Sequence, residues 1–354
     1  MKVCIIASDE PRNRQRFITK PLLQLGHDVN VLKTSPLYCL VFRLAALMFS
    51  NRPDVIIFIS VGFKELFAYA LVNKFDVPFI VRLGGDRLRD LNSVVETLWD
   101  QGNYLSWAKF RTEKFIVKYL LKKTSFVILV NEALKPRIST QLNSANKAFI
   151  VPQFSDAPPF LRDYIYKTPL NILTVTNFTF SDKADGVIWL AYRLNKFADL
   201  NKTPIEFNIA GTGLHFHDLE QSLEGLVQSK FLTLKLLGFV KDLDFYYKSA
   251  DVFVYRSFHD ATPNVIIESK RFSLPLLAND CDEFRNLISH RISGVLYQDE
   301  DHFNELLNEL IDNKAFRTRI GTCAHQDYQS SYSIDTAKKN IQAALSEVVK
   351  KGKI

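Results

Sequence analysis

Residues 252–278 read VFVYRSFHDATPNVIIESKRFSLPLLA. The run Val252–Tyr255 has the length of a buried strand, Pro263–Phe272 has the length and pattern of a helix, and Leu276–Ala278 is a second apolar run. A strand, a helix and another strand in this order make a parallel pair joined by a crossover helix. Thr262 suits the helix cap and Pro263 the first turn, where a missing N–H costs nothing. The same alternation extends in both directions. Downstream comes Gly294–Tyr297 and upstream come Ile172–Val175, Glu206–Ala210 and Thr233–Leu236, with helical patterns over Ala184–Lys196, Leu214–Leu223, Asp242–Ser249 and His302–Leu310. In the first half, Val3–Ile6, Val29–Leu32, Val55–Ile59, Phe79–Arg82 and Phe126–Leu129 alternate with helical segments such as Arg16–Leu25, Tyr38–Phe49 and Lys109–Lys122.

Between the halves, residues 154–170 contain Pro158, Pro159 and Pro169 and read as a linker. The expected fold is α/β, with two Rossmann-like, doubly wound parallel-sheet domains facing a central cleft. The expected domains are 1–155, joined by a crossover helix at about 333–350, and 156–332. Such sheets bind ligands at the carboxyl ends of their strands, so the cleft is the expected site.

Composition narrows the class. The chain has 354 residues, 47% hydrophobic and 23% charged, as in ordinary globular proteins. No apolar stretch reaches the length of a membrane-spanning helix. The start, Met1–Ser8, reads as a buried strand rather than a signal peptide, which makes the cytoplasm the expected location. Cys4, Cys39, Cys281 and Cys323 lie far apart and are expected as free thiols. His27, His215, His217, His259 and His290 show no metal-ligand spacing, and no metal is expected. Residues 1–150 carry 22 Lys/Arg against 12 Asp/Glu, and the remainder 23 against 26. A basic first half suits phosphorylated substrates or an anionic membrane surface. No zinc-finger or RNA-recognition pattern accompanies it, so nucleic acid is not an expected partner.

The chemistry concentrates at Asp260 and Glu268. Asp260 falls in the loop before the helix and Glu268 in its second turn. The helix start offers free N–H groups and a positive dipole end to an anion, and carboxylates accept hydrogen bonds from sugar hydroxyls. Spacing alone leaves open a plainer reading, an N-cap Asp and a surface Glu.

The segment resembles the acidic signature of the retaining glycosyltransferase family 4, the group 1 glycosyl transferases of GT-B fold, in which two Glu are separated by seven residues. Here the first is Asp260. Ser273–Asp280 resembles the next strand and loop of that family, with Ser273 where a Gly commonly stands, and Ile292–Leu296 resembles its Gly-containing strand. The resemblance implies a nucleotide-diphosphate sugar such as a UDP- or GDP-sugar as donor, no cofactor, and transfer with retention of anomeric configuration. It implies that Asp260 contacts the transferred sugar, Glu268 holds the ribose, and backbone N–H groups at Thr262 and Asn264 face sugar or phosphate oxygens. Lys183 matches a lysine on the diphosphate. Asn177 stands where the family's arginine is usual. Gly211 and Gly213 match an element close to the donor, and Val240 a backbone contact to the base. Tyr246 and Tyr247 also read as packing residues.

In the first half the match is looser. Val77–Asp86 resembles a branch with an Arg, Gly, Asp pattern. Arg82, Gly84 and Asp86 become candidates for acceptor or sugar contacts, against a plainer reading as a strand-end turn with a surface ion pair. Arg12, Arg14 and Arg16 suit phosphate or anionic lipid. The implied acceptor is a lipid-linked saccharide of lipopolysaccharide or surface polysaccharide, with a peripheral contact to the inner face of the membrane. A soluble acceptor, a GT-B sugar-nucleotide epimerase, a nucleotide-binding scaffold and a nicotinamide oxidoreductase stay as rival readings.

Overall fold

The computed structural model describes residues 1–8, 15–132, 134–143, 147–155, 160–165, 168–226, 229–258 and 263–351. The chain forms two compact units, Met1–Phe154 with Ile334–Ile354, and Ser155–Ser333. Each unit is a doubly wound α/β sheet with helices on both faces.

The first unit holds β1 (Lys2–Ala7), β2 (Asp28–Lys33), β3 (Val55–Phe58), β4 (Phe79–Leu83), β5 (Phe126–Leu129) and β6 (Lys147–Ile150), parallel in the order β2-β1-β3-β4-β5-β6. Its helices are α1 (Arg16–Gln24), α2 (Leu37–Ser50), α3 (Phe63–Lys74), α4 (Arg87–Asp100), α5 (Tyr104–Lys123) and α6 (Leu134–Ser139). β3 is buried along its length because helices cover both faces, and its side chains divide with the two-residue period of a strand. Ile56 and Phe58 pack with the inner faces of α2, α3 and α5, while Val55 and Ile57 pack with α1.

The second unit holds β7 (Leu170–Val175), β8 (Ile205–Ala210), β9 (Leu232–Gly238), β10 (Val252–Tyr255), β11 (Leu276–Asn279) and β12 (Val295–Tyr297), parallel in the order β12-β11-β10-β7-β8-β9. Its helices are α7 (Ser181–Asn201), α8 (Phe216–Glu224), α9 (Asp244–Ser249), α10 (Asn264–Arg271), α11 (Asp282–Arg285), α12 (Glu300–Asp312) and α13 (Lys314–Ser331). One face of the sheet carries α7, α8 and α12; the other carries α9 and α10.

The last helix, α14 (Ile334–Lys351), belongs to the first unit. Ala337, Ile341, Leu345 and Val348 recur at helical spacing and pack with Phe17, Ile18 and Leu22 of α1. Burying the three larger side chains contributes roughly 5–9 kcal/mol before the cost of ordering the helix. The Asn340 amide donates to Ile150 O at 2.9 Å, and Lys147 pairs with Glu347 at 2.8 Å. Several boundaries differ from expectation. α5 begins at Tyr104 rather than Lys109, capped by Asn103, whose Oδ1 accepts from Ser106 N at 3.3 Å. Pro263 occupies the N-cap position of α10 instead of its first turn. β6, α3, α4, α6, α11 and α13 add elements to the predicted set.

Candidate functional site

In the second sheet, β8 and β9 lie to one side of β7, and β10, β11 and β12 to the other. The order in which strands are added therefore reverses between β7 and β10. α7 leaves β7 toward one face of the sheet, and α10 leaves β10 toward the other. The diverging loops open a crevice at the carboxyl ends of these two strands, the place where doubly wound sheets take ligands. Asp260 and Thr262, which fall between β10 and α10 in the sequence, lie outside the described residues, as do His259, Arg12 and Arg14.

The loop after β7 is held by backbone contacts that exclude a side chain. Gly211 has φ +141°, and a Cβ there would stand 1.7 Å from Thr176 O; Gly213 has φ +156°, and its Cβ would stand 2.4 Å from Phe178 C. Thr176 N donates to Ala210 O, Phe178 N to Thr212 O, and His215 N to Phe178 O, at 2.8–3.0 Å. The glycine pair thus lets two backbones touch and sets the path of Thr176 and Asn177. The buried oxygens Thr176 Oγ1 and Asn177 Oδ1 meet no hydrogen-bond partner among the described residues. Leaving such an atom unsatisfied costs about 1–3 kcal/mol. Lys183 lies in the first turn of α7 and is only 5% exposed, against the reading of a plain surface lysine. Gly186, one turn on, has no room for a Cβ, which would stand 2.4 Å from Arg256 O. The start of α7 is therefore seated against the end of β10.

On the β10 side, Asn279 clasps the departing chain: Ser257 N donates to Asn279 Oδ1 at 3.0 Å, and Asn279 Nδ2 donates to Ser257 O at 3.1 Å. Ser257 Oγ donates to Asp182 Oδ2 of α7 at 3.3 Å. The Arg256 guanidinium lies 4.0 Å over the Trp189 ring, which stacks on Tyr297. Asn264 is the first residue of α10, and Glu268 lies one turn further. The Tyr247 hydroxyl donates to Glu268 Oε2 at 3.0 Å, and its ring stacks on Phe272. Burial, reinforced by the Glu268 carboxylate, pushes the Tyr247 phenol well above its ordinary range, so it remains a donor. Packing and positioning are thus one role for this tyrosine.

The far end of α10 is equally fixed. Ser273 N donates to Lys270 O and Leu274 N to Ser269 O, the two bonds of a Schellman motif. Ser273 sits at φ +52°, a left-handed position that favours glycine, and its Oγ compensates by donating to Phe160 O at 2.8 Å. Lys270 is fully buried, and its ammonium donates to Leu287 O and to the Asp327 carboxylate. Burial lowers the Lys270 pKa, against the pull of Asp327. Val240 lies two residues beyond β9, half-buried against this face of the core.

The first-unit candidates separate. Arg82 is 1% exposed, with its guanidinium 5.8 Å from the Phe17 ring centroid. That burial runs against the plainer reading of Arg82 as half of a surface ion pair with Asp86. Asp86 instead caps α4, accepting from Arg89 N at 3.1 Å, and lies 4.0 Å from Arg137. Gly84 sits beside the Arg82 guanidinium, its Cβ position 3.8 Å from Nη1.

Residues 169–313, most of the second unit, match the family described as Glycosyl transferases group 1. Most of the second unit is thus similar to this family. Over 257 residues the chain is 25% identical to the UDP-Gal:alpha-D-GlcNAc-diphosphoundecaprenol alpha-1,3-galactosyltransferase of Escherichia coli, covering 68% of this chain and 65% of that protein. Over 88 residues it is 32% identical to the amylovoran biosynthesis glycosyltransferase AmsD of Erwinia amylovora, covering 25% of each. The chain thus spans between a quarter and two thirds of these relatives. Among solved structures, the sucrose-phosphate synthase of Thermosynechococcus elongatus superposes with TM-score 0.74 at 13% identity, covering 99% of this chain and 100% of that one. Anabaena HepE in complex with UDP gives 0.69 at 14%, covering 98% and 100%. Likeness at this identity is likeness of fold. Within the matched unit, the sequence reading missed Asn279 as a clasp, although a polar residue ending the apolar run Leu276–Ala278 marks the position. It also missed the Trp189–Arg256–Tyr297 stack, which joins three elements and has no local signature.

Proposed function

We propose that the chain transfers a hexose, with retention, from a UDP- or GDP-linked donor to a lipid-linked saccharide of surface polysaccharide or lipopolysaccharide synthesis, working at the inner face of the cytoplasmic membrane. The observation that carries this is the convergence, at the switch point of the second unit, of a buried Lys183, the unsatisfied oxygens of Thr176 and Asn177, and the start of α10. The name of the Escherichia coli relative, a UDP-Gal enzyme with a diphosphoundecaprenol-linked acceptor, favours the same donor and acceptor classes.

In this reading the bond between the anomeric carbon and the diphosphate oxygen breaks. An acceptor hydroxyl forms the new bond on the same face and passes its proton to the leaving phosphate. Lys183 and the helix start at Asn264 oppose the charge that develops on the leaving group, the kind of stabilisation that gains most in a dry site. Glu268, held by Tyr247, accepts from the ribose hydroxyls, and Asp260 contacts the transferred sugar. Asn177 and the backbone at Gly211, Gly213 and Val240 line the donor, and no metal is invoked. On the acceptor side, Arg82, Gly84 and Asp86 are the candidates.

The test is a thermal-shift panel of UDP- and GDP-sugars. A ligand at a hundred times its Kd stabilises by about 2.7 kcal/mol. One donor should raise the melting temperature, and Glu268→Gln should weaken that donor roughly 10- to 150-fold, the range for a charge-assisted hydrogen bond. NMR of the product should show the donor's anomeric configuration. No shift with any sugar nucleotide would sink the donor assignment. Tight nucleotide binding without transfer would move the reading to a nucleotide-binding scaffold.

A further inference from the structure

From residue 92 to residue 115 no residue is buried. This stretch is the outer part of the hairpin formed by α4 and α5, which join through residues 101–103. It is not polar. Trp99 is 53% exposed, Tyr104 60%, Leu105 90% and Phe115 64%. Trp99 meets Tyr104 and Trp107 at ring centroid distances of 5.5 and 5.0 Å, so the tip of the hairpin is an aromatic cluster. The free part of α5 is about 18 Å long at 1.5 Å per residue.

The helix layer beside the hairpin is built in the same way. α2 buries Leu40, Leu44 and Met48, and its opposite stripe exposes Tyr38, Phe42 and Phe49. A surface helix ordinarily presents polar residues on that side. α3 packs beside α2 and exposes Phe67; Tyr69 of α3 meets Tyr119 of α5.

Charge decides what covers this surface. α2, α3 and α5 carry nine basic residues: Arg43 on α2, Lys64 and Lys74 on α3, and on α5 six between Lys109 and Lys123. Their acids are two, Glu65 and Glu113. Glu65 is 5% exposed and accepts from Ser60 Oγ, and the Glu113 side chain is 12% exposed and pairs with Arg87. The outward charge of these three helices is therefore positive; the hairpin's outward acids, Asp90, Glu96 and Asp100, are on α4. Arg111 lies 4.7 Å from the Trp107 ring centroid and Lys123 5.9 Å from that of Tyr119. Aromatic rings with a polar edge, beside long cationic side chains, suit the headgroup region of a bilayer. A second copy of the chain would oppose positive charge to positive charge.

We propose that the tip of the α4–α5 hairpin, with the outer faces of α2 and α3, docks on an anionic lipid bilayer. This deepens the lipid-linked acceptor reading and rests on it for its purpose. The surface itself is argued independently of the donor chemistry.

The experiment uses the full chain and two vesicle preparations, phosphatidylcholine alone and phosphatidylcholine with phosphatidylglycerol. The protein should sediment with the second preparation and be released by high salt. Replacing Lys109, Arg111 or Lys118 by Ala should each weaken binding about fivefold. Leu105→Asp should weaken it further at an unchanged melting temperature, since that side chain is almost wholly exposed. The three tryptophans are Trp99, Trp107 and Trp189. Emission should shift blue on mixing with anionic vesicles in Trp189→Phe, and stay put in the Trp99→Phe/Trp107→Phe double variant. Equal binding to both preparations, no binding, or binding indifferent to these substitutions overturns the proposal. So does a concentration-dependent dimer that Leu105→Asp abolishes, which would make the surface a contact between copies. The thermal-shift panel needs no vesicles, so failure there and failure here are told apart.

Discussion

Gly211 shows how one residue sets the site. Its Cβ position is only 1.7 Å from Thr176 O, and its φ of +141° is one that side chains avoid. Gly211→Ala therefore combines a steric conflict between backbones with backbone strain, each about 1–3 kcal/mol. The expected loss is about 3 kcal/mol or more in a urea titration. Gly225 is the control: it caps α8 at φ −75° and its nearest neighbour would be 3.8 Å away. Gly225→Ala should be neutral or gain about 0.5 kcal/mol through the unfolded chain. If both substitutions cost the same, the close approach of the two loops is not what the glycine serves. Lys183 and Arg82 mark what the sequence makes legible at this scale. Lys183 stood out through its order among several motifs. Nothing in Phe79–Leu83 distinguishes a buried arginine from an exposed one, because burial at a strand end depends on which helix lies across it, here α1 with Phe17.

Elements with one apolar face were legible, and those without one were not. The β10–α10–β11 unit could be read because apolar runs, a proline and a helix of ordinary length follow each other. β6 escaped because KAFI is short and lies at the edge of the sheet. α13 escaped because its buried face includes Arg317, Gly321 and His325. Arg317 bonds to the carbonyls of Tyr164 and Ile311, and Gly321 leaves room for the Tyr164 hydroxyl. α3 has apolar residues on its exposed side as well, so its sequence carries no periodic contrast. α14 is the opposite case, since its stripe is plain in the sequence and all of it is used. Leu345 is 3% exposed in that stripe. Leu345→Ala should cost 2–5 kcal/mol. Calorimetry should show the transition of the first unit lowered by roughly 5–15 °C, at about 2–4 °C per kcal/mol for a unit of this size, and that of the second unit left in place. Equal lowering of both would mean that they unfold as one.

Across the whole molecule, buried ionisable groups predict how stability ends at high pH. Burial raises the phenols of Tyr247, Tyr297 and Tyr332 well above 10. The unfolded chain releases those protons near pH 10, while the folded chain keeps them. Folding is thus fully supported below pH 10 and loses support as pH rises, at about 1.4 kcal/mol per pH unit for each phenol and about 4 kcal/mol for the three. Lys270 acts in the opposite sense. Burial lowers its pKa, so between that lowered value and about 10.4 the unfolded chain holds the extra proton and stability rises with pH. Cys4, pushed up to about 12 by burial, adds to the alkaline loss from about pH 8.5 upward. Lys270 therefore flattens the curve up to about pH 10.4, after which the phenols act unopposed. Domains of ordinary stability, 5–15 kcal/mol, should then unfold within a few pH units. Tyr247→Phe should reduce the slope of that limb by about 1.4 kcal/mol per pH unit, because it removes one of these phenols while keeping the ring on Phe272. A slope unchanged in Tyr247→Phe would show that its phenol titrates alike in the folded and unfolded chains, and that Glu268 is not held by a permanently protonated donor.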